Sequence, residues 1–130
     1  MDAPQHRLLV VDDSNVIRKR IERANELPEI EFVGSARNGR EALELYSLLR
    51  PTLVTMDLTM PEMDGPECVE KLVQRDPQIR ILVISALADK LTAIDALEKG
   101  ASGFLCKPFT DRQLNDALRK LIGADRLAAR

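Results

Sequence analysis

A chain of 130 residues, 45% of them apolar and 31% charged, is one domain with enough apolar side chains to bury a real core. Its 19 basic and 21 acidic residues are mixed along the chain for a net charge of −2, which excludes the basic patch or tail that would track a nucleic-acid backbone. No apolar stretch approaches the length of a membrane span and the N-terminus lacks a signal-peptide core, so a cytoplasmic protein without direct nucleic-acid or membrane contact is expected.

Leu8 to Val11 reads as a first strand and ends on Asp12-Asp13. Ser14 to Glu26 follows as a helix with Ile17, Ile21 and Ala24 on one face, stopped at Leu27-Pro28. Ile30 to Ala36 reads as a strand in which Ile30, Phe32 and Gly34 alternate against charged Glu31. Asn38-Gly39 is a turn, and Ala42, Leu43, Tyr46 and Leu49 mark a helix that ends before Pro51. Thr52 to Asp57 has no polar alternation, as a strand covered on both faces should be. A loop from Thr59 to Asp64 leads to a helix over about Gly65 to Arg75, then a strand from Ile79 to Ser85. Asp89 to Lys99 is helical, and Ser102 to Cys106 is a short strand before Lys107. Thr110-Asp111-Arg112-Gln113 fits a capping box and opens a helix carrying Leu114, Ala117, Leu118, Leu121 and Ile122. Cys68 and Cys106 are too few for a disulfide scaffold or a zinc site and read as small core residues. His6, the only histidine, reads as a surface residue before the first strand.

Five strands alternating with five helices imply an α/β fold, a doubly wound parallel sheet covered by helices on both faces. Ligands of such sheets bind beyond the carboxyl ends of the strands. Asp12, Asp13, Asp57, Ser85 and Lys107 all stand at those ends. Three converging carboxylates need a cation or raised pKa values, and hard oxygen ligands with no His or Cys thiolate favour Mg²⁺. Asp57, alone at a strand end, is the best nucleophile toward a phosphoryl group, giving an aspartyl phosphate; Asp12 and Asp13 suit the ion. Lys107 and Ser85 supply an ammonium and a hydroxyl for phosphoryl oxygens. Singly, each has a plainer role: Asp13 or Ser14 as a helix N-cap, Asp57 as a loop residue, Lys107 as a solvated surface cation. Their joint placement is what the plain roles leave unexplained.

The stretches Leu9 to Ser14, Met56 to Gly65, Ile84 to Ala86, and Gly100-Ala101 with Phe104 to Phe109 resemble the receiver domain of two-component response regulators, in order and spacing. The most specific part is Asp57-Leu58-Thr59-Met60-Pro61-Glu62-Met63-Asp64-Gly65, and the resemblance covers about His6 to Ile122. It implies a flavodoxin-like (βα)5 domain over residues 6–122, strand order 2-1-3-4-5, and a short tail over 123–130. It implies Asp57 as phosphoacceptor, Asp12, Asp13, Asp57 and the backbone carbonyl of Thr59 as the Mg²⁺ site, and Lys107 as the phosphoryl contact, its bond to Pro108 cis. Ser85 would be the switch hydroxyl and Phe104 the switch aromatic, with a core position its plainer role. Ser85 stands where threonine is commoner, and Phe104 has no hydroxyl to bond after turning inward. Thr59 and apolar Leu87 flank the site, which implies a long-lived phospho-Asp57.

The expected function is that of a single-domain response regulator, not an enzyme with turnover. A sensor histidine kinase or phosphotransfer protein would supply the phosphoryl group. A downstream protein would dock on the face of the fourth helix, fifth strand and fifth helix, with the chain a monomer or a phosphorylation-dependent dimer. Chemotaxis is among the open pathways. The alternatives are a Mg²⁺-dependent phosphohydrolase working through an aspartyl phosphate and a degenerate receiver that binds partners without phosphorylation. Asp57-Leu58-Thr59 lacks the second Asp of such hydrolases, and every acidic residue and the lysine are present, against degeneracy.

Overall fold

The structure, a computed structural model, describes residues 5–58, 60, 63, 65–86 and 89–128, with side chains to 123. Its elements are β1 (His6–Val11), α1 (Asn15–Ala24), β2 (Ile30–Ala36), α2 (Gly39–Leu49), β3 (Leu53–Asp57), α3 (Gly65–Arg75), β4 (Arg80–Ala86), α4 (Lys90–Glu98), β5 (Gly103–Lys107) and α5 (Asp111–Ala128). All five strands are parallel in the order β2-β1-β3-β4-β5, the expected doubly wound, flavodoxin-like sheet. The chain leaves β1 toward one edge and returns past it to β3, so the strand order reverses between β1 and β3. That reversal opens a crevice at their carboxyl ends.

The largely apolar runs in β1, β3 and β4 make sense once successive side chains are followed to opposite faces. Leu8, Val10, Leu53, Leu82 and Ile84 pack against Ile21 and Ala24 of α1 and Leu114, Leu118, Leu121 and Ile122 of α5. Leu9, Val11, Val54, Met56, Ile81 and Val83 pack against Ala42 and Leu43 of α2, Val69 and Leu72 of α3, and Ala93 and Ala96 of α4. Fully burying one such aliphatic side chain contributes about 1.5–3 kcal/mol, so the central strands carry much of the stability. In β2 the expected alternation is broken by a bulge: Leu8 pairs with Phe32 but Leu9 pairs with Gly34. The skipped Val33 flips the faces, which is why Ile30 packs under α1 and α5 while Ala36 packs under α2.

Helix ends follow local hydrogen bonding. Ser14, not Asp13, caps α1, its hydroxyl accepting from the Ile17 N–H at 3.3 Å. The helix stops at Ala24, two residues before the expected end. The Asn25 side chain there accepts from the Leu27 N–H at 3.2 Å and donates to the Ile30 carbonyl at 3.0 Å, a turn that competes with helix continuation. Asn38 proves to be an N-cap, accepting from the Glu41 N–H at 2.8 Å. The capping box forms as read: the Thr110 hydroxyl accepts from Gln113 N–H at 3.1 Å, and the Gln113 carboxamide accepts from Thr110 N–H at 2.8 Å. From there α5 runs past Ile122 to Ala128.

Two small expectations are corrected. His6 lies inside β1 and is half-buried, where burial and Arg80 hold its imidazole below the usual value against the opposite pull of Glu29. Cys68 is buried, with its Sγ 3.6 Å from the Gly39 carbonyl it donates to, but Cys106 is only half-buried on the edge strand. Among the described residues no helix is long and apolar enough to cross a membrane.

Candidate functional site

Val11 pairs with Met56, so the residues that follow them, Asp12 and Asp57, leave adjacent strands side by side at the crevice. The Asp12 N–H extends the sheet ladder to the Ala36 carbonyl at 3.0 Å, which fixes its backbone. Asp12 and Asp57 are buried, Asp13 is exposed, and one carboxylate oxygen from each lies within 4.8 Å of the others. Lys107, at the end of β5, reaches across the end of β4 to both buried acids. Its Nζ donates to Asp57 Oδ1 at 3.2 Å and to Asp12 Oδ2 at 3.4 Å.

Among the described residues, one ammonium faces the three carboxylates, which leaves the cluster short of positive charge. Two like charges 4 Å apart repel by about 4 kcal/mol at the effective dielectric near a protein surface, so the deficit matters. Burial raises the Asp12 carboxyl above its usual range, and the Ser14 N–H, which its Oδ1 accepts at 2.8 Å, and Lys107 only partly offset that. For Lys107 burial pulls the ammonium down, but Asp12 and Asp57 outweigh it and hold the pKa above the ordinary lysine value. The bridge therefore favours charged lysine more than it repays the desolvation of Asp12. An all-oxygen donor set with one member open to solvent fits a hard divalent cation that keeps several waters, as Mg²⁺ does.

Neighbouring residues hold this geometry. The Gly65 N–H donates to the Leu58 carbonyl at 3.2 Å, closing the loop after β3. A Cβ at Gly65 would lie 2.5 Å from Leu58 Cα and 2.9 Å from the Asp57 carbonyl, so only glycine permits this return. Arg18 of α1 donates to the Asp12 carbonyl at 2.7 Å, and Arg20 donates to the Phe109 carbonyl beyond Lys107. Sequence reasoning missed both arginines. They stand beside Ile17 and Ile21, at the margins of the buried face of α1, but nothing in residue type marks their carbonyl partners.

The other expected residues are distributed unevenly. Ser85 is buried at the end of β4, but its hydroxyl donates to the Ala86 carbonyl at 3.3 Å. Phe104 is 37% exposed on β5, away from the acids and out of the core. Separately, α4 exposes Leu91, Ile94 and Leu97. The Lys107–Pro108 peptide is cis. Thr59 and Leu87 lie outside the described residues.

The sequence model of the response regulator receiver domain matches residues 8–119. The chemotaxis protein CheY of Thermotoga maritima is 39% identical over 115 residues, covering 88% of this chain and 96% of that protein. Among solved structures, the receiver domain of AraT, a response regulator from Geobacillus stearothermophilus, superposes with a TM-score of 0.88 at 26% identity, covering 97% of this chain and 99% of that one. A CheX–CheY–BeF3–Mg²⁺ complex from Borrelia burgdorferi contains a chain that matches with a TM-score of 0.83 at 29% identity, covering 90% of this chain and 89% of that one.

Proposed function

Because the chain belongs to the response regulator receiver domain family, we propose that it is a phosphorylation switch whose acceptor is Asp57. The observation that carries this reading is the Lys107 Nζ bridging Asp57 and Asp12 beside a third carboxylate. Residues 6–122 form the receiver unit in this reading, and 123–130 a short tail. Asp12, Asp13 and Asp57 would hold Mg²⁺, together with the backbone carbonyl of Thr59. When bound, the ion supplies positive charge to a phosphoryl group held at Asp57.

A carboxylate oxygen of Asp57 attacks the phosphorus of a phosphohistidine on a sensor kinase or phosphotransfer protein. The new P–O bond forms as the P–N bond breaks, and the electron pair leaves with the imidazole. Lys107 keeps its charge throughout, because Asp12 and Asp57 hold its pKa high. Once Asp57 is phosphorylated to the acyl phosphate, the ammonium turns from a carboxylate oxygen to a phosphoryl oxygen. The Ser85 hydroxyl, which donates to the adjacent Ala86 carbonyl, is a short rotation from serving as a second donor.

Drawing Ser85 inward frees space on the strand face it shares by alternation with Phe104 and biases the exposed side chains of Phe104 and of Leu91, Ile94 and Leu97 on α4 toward a different arrangement. A downstream protein that prefers one arrangement then reads the phosphorylation state, as the target of a cytoplasmic relay that includes chemotaxis among its possible outputs. Self-association of the phosphorylated form through the same side chains is the alternative to action as a monomer.

Incubation with Mg²⁺ and acetyl phosphate tests the acceptor. Mass spectrometry should find one phosphoryl adduct per chain, absent in Asp57→Asn and absent when the metal is chelated. Labelling that survives Asp57→Asn would overturn the assignment, and catalytic release of phosphate from many esters would favour a hydrolase instead.

A further inference from the structure

Arg20 grips the segment that carries Lys107. Its Nη2 donates to the Phe109 carbonyl, its guanidinium carbon sits 4.6 Å from the centroid of the Phe109 ring, and its Nε lies 3.7 Å from Asp111 Oδ1. The Asp111 carboxylate is largely exposed, so that ion pair alone contributes little. The other two contacts need a flat cation that stacks on a ring while donating in its own plane, which arginine does and lysine does not. Phe109 is buried among the side chains of α1 and α5. The stretch from Lys107 to Asp111 is thus pinned by a ring from the core side and a guanidinium from the solvent side.

That pinning matters because of what Lys107 must do. Its long side chain places one nitrogen 3.2 Å from Asp57 and 3.4 Å from Asp12, and it reaches both only from a fixed main-chain anchor. Phosphoryl transfer gains most of its rate from positioning and electrostatics, so drift of this one cation is felt directly. The geometry points to Arg20 as a positioning residue that sets the reach of Lys107 from α1. This deepens the proposed role of Asp57 and rests on it for its effect on rate.

Four single variants and a double variant separate the possibilities. With Mg²⁺ and acetyl phosphate, Arg20→Ala should slow labelling of Asp57 roughly tenfold, inside the hundredfold that a 1 Å misplacement costs. Arg20→Lys, which keeps the charge and loses the fork, should recover only part of the rate. Arg23→Ala, an exposed cation on the same helix, should leave the rate unchanged. In a Lys107→Ala background, Arg20→Ala should slow labelling no further, because the residue it positions is gone. An equal loss in both backgrounds, or full rescue by lysine, overturns the proposal. A readout independent of phosphorylation is ¹³C relaxation at the Lys107 Cε methylene, where Arg20→Ala should lower the order parameter with the thermal midpoint little changed. Unchanged order at Cε sinks the Arg20 role even if labelling proceeds. A wild-type chain that accepts no phosphoryl group sinks the switch reading, while the relaxation result still decides the positioning.

Discussion

The helices α5 and α4 cover the same half of the sheet from opposite faces, yet they are attached in different ways. Leu114, Leu118, Leu121 and Ile122 of α5 are buried against the strands, and the buried Asn115 side chain ties the helix to α1 by donating to the Ala24 carbonyl at 2.7 Å. In contrast, α4 buries only Ala93 and Ala96 and leaves Leu91, Ile94 and Leu97 facing out. A helix seated on methyl groups has little to lose by shifting, whereas one seated on leucines must reorganise a core layer to move. The molecule thus pairs an anchored side, on which Lys107 is held, with a loosely seated side.

The sharpest way to break this comparison is truncation on each side. Leu114→Ala should cost roughly 2–5 kcal/mol of unfolding free energy, by lost transfer energy and a residual cavity. Leu91→Ala, at a position 83% exposed, should change stability by no more than about 0.5 kcal/mol. Urea titrations of both variants check it, and comparable losses would mean that α4 is anchored after all. A second test adds the metal. At a tenfold excess over its dissociation constant, Mg²⁺ should add about 1.4 kcal/mol to stability, lost in Asp13→Asn. Hydrogen exchange should place the added local protection at the start of α1 and the end of β3, with α4 little affected.

The anchored layer also contains one defect. The Thr55 hydroxyl is buried and finds no hydrogen-bond partner among the described residues. Alternation with Val54 and Met56 directs it toward the α1 and α5 side. A buried unpaired hydroxyl costs its desolvation, so Thr55→Val, which keeps the shape, should stabilise the protein by about 1 kcal/mol in thermal unfolding. A loss of stability instead would reveal a partner for that hydroxyl.

Much of this was legible in the sequence because β1, β3 and β4 are largely apolar runs, and the ends of these strands and of β5 carry polar residues. In a parallel sheet that pattern places Asp12, Asp57, Ser85 and Lys107 on one edge whatever the strand order. The capping box was legible too, being local chemistry between Thr110 and Gln113. The bulge at Val33 was not, since period-two patterning survives a one-residue slip unnoticed until the partner strand is known. Nor were Arg18 and Arg20, whose partners are main-chain carbonyls at Asp12 and Phe109 and leave no mark in residue type. The exposure of Phe104 was hidden for a related reason: an aromatic on an edge strand looks in sequence like one in the core.

The smallest effect concerns what the site costs the fold. Burial raises the pKa of Asp12 in the folded state above its unfolded value, so the folded chain binds this proton more tightly than the unfolded chain. The sign follows: the contribution to stability is full below the unfolded pKa and is lost as pH rises through the folded one. At neutral pH without Mg²⁺, ionised Asp12 is therefore a net burden, and Asp12→Asn, whose amide oxygen can still accept from Ser14, should be slightly more stable than wild type. The advantage should shrink as pH falls below the usual aspartate range, where wild-type Asp12 is also neutral. Saturating Mg²⁺ should reverse the order, because only the carboxylate gains from the ion. Thermal unfolding of the two proteins at neutral and acidic pH, with and without Mg²⁺, reads all of these signs. An Asn variant that is less stable under every condition would mean that the lysine bridge outweighs desolvation, and that the acid cluster stabilises the fold.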